Sequence, residues 1–196
     1  MTSEKNTTEI TYDEYVTTFN AENLKFVSAN GTHPLNDKWV LWMHQPASKC
    51  NRWDLASYKQ HCVISTVEDF WSLFNGLKSL VNEDMWFLMR HGIPPRWEDP
   101  VNKEGGSFKF KVPGDRLDNC WLTLAMHLVT ETMCVNMRDS KLISGISTSP
   151  KQHNFSTLSI WNLDSAATDC KQFPSNVEGI DFKMSLYQAH NDRKHG

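Results

Sequence analysis

The loop sequence Gly92-Ile93-Pro94-Pro95-Arg96-Trp97-Glu98-Asp99-Pro100 sets an indole beside a carboxylate between prolines, outside any helical or strand period that would bury them by default. An indole face stacks on a planar heterocycle, and a neighbouring carboxylate accepts two hydrogen bonds from the Watson–Crick edge of guanine. A second indole in a polar setting, Trp53 within Asn51-Arg52-Trp53-Asp54, would close the other side of such a base. Stacking is worth about 1–3 kcal/mol per base, and a cationic base adds roughly 0.5–2 kcal/mol through cation–π attraction. Alkylation of guanine at N7 makes that cation and acidifies N1–H, so the bonds to a carboxylate become charge-assisted, at about 1.5–3 kcal/mol. By residue type alone, an isolated loop tryptophan plugs the edge of a core as often as it faces solvent. The adjacent Glu98 favours the exposed reading.

Composition narrows the setting. The chain of 196 residues holds eight tryptophans against four tyrosines, an unusual investment in indoles. A net charge of −3 provides no broad basic field for sequence-independent binding along a phosphate backbone, so any nucleic-acid contact should be compact. No apolar run approaches the roughly 20 residues of a membrane span, and the polar start Met1–Glu9 does not read as a secretory signal. The expectation is a soluble protein of the cytoplasm or nucleus, without membrane contact. Five dispersed cysteines, none in a Cys-x-x-Cys pair, read as reduced thiols rather than disulfides or a zinc site. In such a setting the Asn-x-Ser/Thr triplets at Asn6, Asn30 and Asn154 are chance matches. Metalloprotease, phosphate-loop and nucleophile-elbow motifs do not occur, so neither an enzyme nor a cofactor is expected.

The elements that must position these residues read as one α+β domain, 33–196, behind a flexible arm, 1–32. Within the arm, Thr11–Lys25 has the spacing of a docked helix. Strands are expected at Lys38–His44, Met85–Arg90, Ser107–Val112, Leu142–Thr148, Thr157–Leu163 and Ile180–Tyr187. Ser65-x-x-Glu68 reads as a capping box opening a helix that runs to about Leu80. Asp118 reads as the cap of a second helix, with a short third near Ser165–Gln172. Strands and helices mix without regular βαβ alternation, which gives one antiparallel sheet with helices on one face.

Taken in order, several segments resemble the messenger-RNA cap-binding translation initiation factors of the initiation factor 4E type. They are His33-Pro34-Leu35, Trp39-x-x-Trp42, Trp53, Thr66-Val67-Glu68-Asp69-Phe70-Trp71, Trp97-Glu98-Asp99, Asn102-Lys103-x-Gly105-Gly106, Trp121-Leu122 and Trp161. The resemblance covers residues 33 to about 163. It implies a curved antiparallel sheet of about eight strands backed by three helices on its convex face. On the concave side a 7-methylguanosine cap would lie between Trp53 and Trp97, read by Glu98, with Trp161 against the N7 methyl group. Departures fall on the phosphate grip: Ser107 stands where an arginine usually follows the Gly-Gly pair, Lys151 near a usual arginine and His153 near a usual lysine. The triphosphate is then expected on Lys151 and His153, or on Lys103, Lys109 or Lys111, all of which read equally well as a solvated face. The weaker clamp implies a divergent paralogue with lower affinity for a bare cap nucleotide, or with contacts to further methylated nucleotides.

The resemblance also implies a partner surface formed by His33, Pro34, Val67, Trp71 and Leu122. It would receive an amphipathic helix of an initiation scaffold of the 4G type or of a 4E-binding repressor. Trp71 fits core packing equally well by residue type, and Thr123 replaces a common acidic residue of that surface. Three readings are carried forward: a cap-binding initiation factor or repressor isoform, a non-catalytic binder of single-stranded RNA or another planar ligand, and a small cap-modifying enzyme. The last lacks any paired acid/base or metal constellation.

Overall fold

A computed structural model describes residues 32–46, 49–76, 83–151, 153–174 and 179–192. Strands β1 (Pro34–His44), β2 (Lys59–Thr66), β3 (Met85–Arg90), β4 (Gly106–Pro113), β5 (Ile143–Lys151), β6 (Phe155–Asn162) and β7 (Leu186–Ala189) form one curved antiparallel sheet. Their spatial order is β2-β1-β3-β5-β6-β4-β7. Helix α1 (Val67–Gly76) follows β2, and α2 (Gly114–Val129) follows β4 without an intervening loop.

Period-two alternation gives each strand two faces. Trp39, Leu41 and Met43 of β1, Trp86 and Leu88 of β3, Phe108, Phe110 and Val112 of β4, and Leu158 and Ile160 of β6 enter one large core. Phe70, Leu73 and Phe74 of α1 and Leu117, Trp121, Leu124 and Leu128 of α2 fill its other side. The intervening residues Phe87, Met89 and Trp161 make a separate small cluster, with Trp42, Tyr58 and Trp97 packed against it. The sheet thus has a helix-covered face and an open, aromatic-rich face.

The fold agrees with the expected class and differs in detail. Among the described residues the sheet has seven strands rather than about eight, and there are two α-helices rather than three. β2 was not expected, because Lys59-Gln60-His61 is polar; it is an edge strand in which only Ile64 is fully buried. The expected helix near 165–172 reduces to a 3₁₀ turn, Cys170–Gln172, and the strand expected at Ile180–Tyr187 to a 3₁₀ turn, Phe182–Met184, before β7. In both turns an aspartate competes with regular structure for the backbone, Asp169 accepting from the Lys171 N–H and Asp181 from the Lys183 N–H. Helix α2 starts at Gly114, not at Asp118. The Gly114 N–H donates to Asn154 O at 2.9 Å, and a Cβ there would lie 2.2 Å from Asn154 Oδ1, so close approach to the β5–β6 turn fixes the helix start. Residues 1–31 of the arm, with the helix expected at Thr11–Lys25, lie outside the described residues, as does the stretch 77–80 over which the first helix was expected to continue.

The expected capping box is displaced by one residue. Asp69 accepts from the Ser65 and Thr66 N–H groups, and Thr66 Oγ1 accepts from the Asp69 N–H at 3.0 Å. Glu68 instead binds His33, accepting from its backbone N–H at 3.0 Å and meeting Nδ1 at 2.6 Å. These bonds, the side-chain one foremost, hold the Glu68 carboxyl at about 2, below its ordinary 4.5. A depressed acid contributes stability above its ordinary value and loses it as the pH falls toward the folded value, here between 4.5 and about 2. An NMR titration of the side-chain carboxyl should place the Glu68 midpoint near 2 in the wild type and shift it upward in His33→Ala. A wild-type midpoint at the ordinary value would contradict the pairing.

Candidate functional site

The open face holds a cleft of about 680 Å³ whose lining includes Trp53, Phe87, Trp97, Glu98, Ser147 and Trp161. That volume suits a ligand the size of a nucleotide. β3, β5, β6 and β4 supply its floor, and two loops at its rim supply the indoles.

The first loop joins β1 to β2. Asp54 caps a 3₁₀ turn, Leu55–Ser57, by accepting from the Ser57 N–H, and pairs with Arg52 at 2.8 Å. The preceding strand ends in His44, which is fully buried. Its ring stacks parallel on Trp53 at 4.4 Å and 7°. His44 Nε2 lies 2.7 Å from Arg52 O and 3.0 Å from Ser57 Oγ, while Nδ1 meets Gln45 O. One indole face of Trp53 is therefore backed by a ring that is itself tied to the loop, and the side chain stays 40% exposed.

The second loop joins β3 to β4 and carries Trp97 and Glu98. Its anchor is Asn102, fully buried, whose Nδ2 donates to Pro94 O and Arg96 O, both at 2.9 Å. The Asn102 carbonyl accepts from His190 Nδ1 at 2.7 Å, which ties the loop to the residue that follows β7. At the loop's end Gly105 and Gly106 permit an approach no side chain would allow: a Cβ on Gly105 would stand 1.9 Å from Asn162 O, and one on Gly106 2.2 Å from the Tyr187 hydroxyl. Glu98 lies 3.6 Å from Arg96 Nε and keeps acceptor capacity toward the cleft, which it lines.

Trp161 occupies the floor. Only 5% of it is exposed, and its Nε1–H donates to Ser147 Oγ at 2.9 Å, so it offers a small apolar patch rather than a stacking face. The structure thus brings Trp53, Trp97, Glu98 and Trp161 to one cleft. Of the cations expected at a phosphate chain, Lys109 and Lys151 line this cleft, and Lys109 Nζ donates to Gln188. Lys111 and His153 line a neighbouring hollow, and Lys103 lines neither, pairing with Glu104 at 3.7 Å in the loop. Ser107 is fully buried in the cleft floor.

Two positioning residues escaped the sequence reading. His44 looked like the end of a strand, and Asn102 was visible only as part of a family pattern without a role. Their signal is polarity next to an apolar strand or a Gly-Gly pair, which becomes interpretable only when burial is known.

On the helix-covered side, the His33 carbonyl accepts from the Val67 N–H at 2.9 Å, which brings His33 and Pro34 to the start of α1. Val67 and Trp71 are 38% and 43% exposed. Trp71 meets Phe70 edge-on at 5.3 Å. Leu122 is half-buried and packs against the core.

A family model described as eukaryotic initiation factor 4E matches residues 34–196. The chain belongs to the initiation factor 4E family. It is 29% identical over 165 residues to eukaryotic translation initiation factor 4E of Eremothecium gossypii, covering 82% of this chain and 74% of that protein. With translation initiation factor 4E-1 of Arabidopsis thaliana it shares 35% over 105 residues, covering 51% of this chain and 44% of that protein. The match therefore spans less than half the length of the Arabidopsis relative. Among solved structures it resembles C. elegans eIF4E-3 in complex with the 4E-binding protein Mextli, at a TM-score of 0.70 and 28% identity, covering 83% of this chain and 96% of that one. Ascaris suum eIF4E-3 with m7G cap gives a TM-score of 0.70 at 27% identity, covering 85% and 96%. The same protein has also been solved with m2,2,7G cap.

Removing the anchor of the second loop takes the Asn102 Nδ2 donor from two carbonyls, Pro94 O and Arg96 O, which then keep only the Arg96 and Asp99 N–H groups. Asn102→Ala is expected to cost about 1–3 kcal/mol in urea denaturation and to speed amide hydrogen exchange across residues 94–99. Unchanged stability and exchange would deny Asn102 this role.

Proposed function

We propose that this member of the initiation factor 4E family binds the 7-methylguanosine cap of messenger RNA in the open-face cleft and engages a helical partner on the helix-covered face, without catalysis. The observation that carries the reading is the convergence of two loop indoles and one carboxylate on a cleft of about 680 Å³. The cationic base stacks between Trp53 and Trp97, Glu98 accepts from N1–H and the 2-amino group, and Trp161 supplies apolar surface to the N7 methyl group. Guanine without the methyl group loses its positive charge, and with it both the cation–π attraction and the charge assistance of its bonds to Glu98. His44 and Asn102 hold the two loops before ligand arrives, which reduces the ordering cost of binding. The solved relatives with m7G and m2,2,7G caps support the ligand class.

The partner reading draws on the relative bound to Mextli and on a schistosome relative complexed with m7GpppG and 4E-BP. Val67 and Trp71, one turn apart on α1, with Leu122 on α2, form the apolar surface an amphipathic helix would cover. Such a factor works where capped messages are handled, in the cytoplasm or nucleus. Whether the bound partner is a scaffold or a repressor decides between activation and repression of translation.

Titration of intrinsic fluorescence with 7-methyl-GTP is expected to show saturable quenching, at least tenfold weaker with GTP, taking loss of about 1.4 kcal/mol as the minimum. Trp97→Ala should lose it. Equal responses to both nucleotides would favour a general binder of planar ligands. Trp71→Ala is expected to keep 7-methyl-GTP binding and to lose a 4E-binding helical peptide by pull-down. Retained peptide binding would refute the surface role.

A further inference from the structure

Each loop indole stands between an arginine and an acid, Arg52-Trp53-Asp54 on one side of the cleft and Arg96-Trp97-Glu98 on the other. The two triplets use their charges differently. Arg52 donates to Asp54 Oδ2 from Nε at 3.0 Å and from Nη2 at 2.8 Å, and Asp54 Oδ1 accepts from the Ser57 N–H, so that carboxylate is occupied inside its own loop. Arg96 Nε lies 3.6 Å from Glu98 Oε2, beyond a hydrogen bond, and the pair meets through charge alone. That Nε is buried and, among the described residues, has no hydrogen-bond acceptor. Glu98 therefore has a positive neighbour and keeps its lone pairs.

The arginine is fixed through its backbone. Its N–H donates to Pro94 O at 2.8 Å, and its carbonyl accepts from Asn102 Nδ2 at 2.9 Å and from the Asp99 N–H at 3.3 Å. Pro95, Trp97 and Glu98 line the inner cleft, whereas Arg96 lines neither that cleft nor the outer hollow beside it, so the guanidinium approaches the carboxylate from outside. Side-chain exposure is 31% for Arg96 and 27% for Glu98, against 66% and 51% for Arg52 and Asp54, so solvent screens the Arg96–Glu98 pair less. The neighbouring charges are engaged elsewhere: Asp99 accepts from the Val101 N–H, and Lys109 donates to Gln188.

A cationic base seated on Glu98 meets a carboxylate that already has a fixed cation behind it. The charge that N7 methylation brings is attracted by Glu98 and repelled by Arg96, whereas neutral guanine makes the same hydrogen bonds and feels little of either. Arg96 thus acts on the difference between the two bases without touching either.

We propose that Arg96 is a specificity-determining residue, which partly neutralises Glu98 from behind and lowers the preference of this chain for 7-methylguanine over guanine. This rests on the cap reading of the cleft and deepens it. The two indoles and Glu98 alone would discriminate more sharply than the chain with Arg96 in place.

The test titrates the whole chain with 7-methyl-GTP and with GTP. Both carry the same triphosphate, so the ratio of their dissociation constants isolates the charge on the base. Arg96→Met and Arg96→Gln are each expected to raise the preference for 7-methyl-GTP about fivefold over the wild type. Arg96→Lys, which keeps the charge, should hold the wild-type ratio, and the gain in the neutral variants should shrink as salt is raised. A role confined to holding the loop would weaken both nucleotides together and leave the ratio where it was. That result would overturn the proposal, as would a ratio that falls in the neutral variants or that rises equally in Arg96→Lys, and each would leave the cap reading standing. Equal binding of the two nucleotides by the wild type and all three variants would overturn both.

Discussion

A strand has two faces and cannot bury both without a second layer, and among the described residues only one layer is supplied. α1 and α2 cover one side of the sheet, and Phe87, Met89 and Trp161 on the other pack with Trp42, Tyr58, Met85, Ile93 and Trp97. That arrangement leaves aromatic side chains bordering the cleft. Aromatic rings that border a cleft bury apolar surface if they collapse onto one another. The rest of the open face is organised to prevent this. His44 holds one face of Trp53 by stacking and grips the Trp53 loop through Arg52 O, and Asn102 fixes the loop of Trp97 through two carbonyls. Polar residues buried beside the indoles, rather than the indoles themselves, keep the cleft open.

The same alternation distributes charge. Along β4 the buried Phe108, Phe110 and Val112 alternate with Ser107, Lys109 and Lys111, which therefore point to the open side in single file. Ser107 and Lys109 fall in the inner cleft and Lys111 in the outer hollow. With serine at the inner end of this row, positive charge increases along the strand toward the hollow. A ligand with a cationic head and an anionic chain has one favourable direction in such a field.

Much of the fold is legible in the residues because the periodicities are strong. Phe108-Lys109-Phe110-Lys111-Val112 alternates as a half-buried strand must, β3 has the bounds its aromatic run gives, and the apolar spacing of α2 identifies its covered face. Where local and tertiary preferences compete, the pattern misleads. β2 is polar because it is an edge, Ser65-x-x-Glu68 yields to Thr66 and Asp69 because His33 takes Glu68, and the start of α2 is set by a contact with Asn154 forty residues later. At the site, residue type alone singles out Trp53, Trp97 and Glu98. Their supports are not legible in that way, since a buried histidine and a buried asparagine look like any polar residues until their partners are in place. The lysines divide for a similar reason: Lys109 and Lys111 share the open face of β4 but fall in different hollows along it, and Lys103, in the loop before β4, lines neither.

The proposed mode of binding places the methylated base in the gap between the two loop indoles with its Watson–Crick edge on Glu98. A structure of the complex with 7-methyl-GTP tests it most directly. The expected result is a base parallel to both Trp53 and Trp97, its N1 and 2-amino nitrogens within hydrogen-bond distance of the Glu98 carboxylate, and the Trp53–His44 stack unchanged. A base bound elsewhere on the open face, or held by one indole with Glu98 still turned to Arg96, would contradict it.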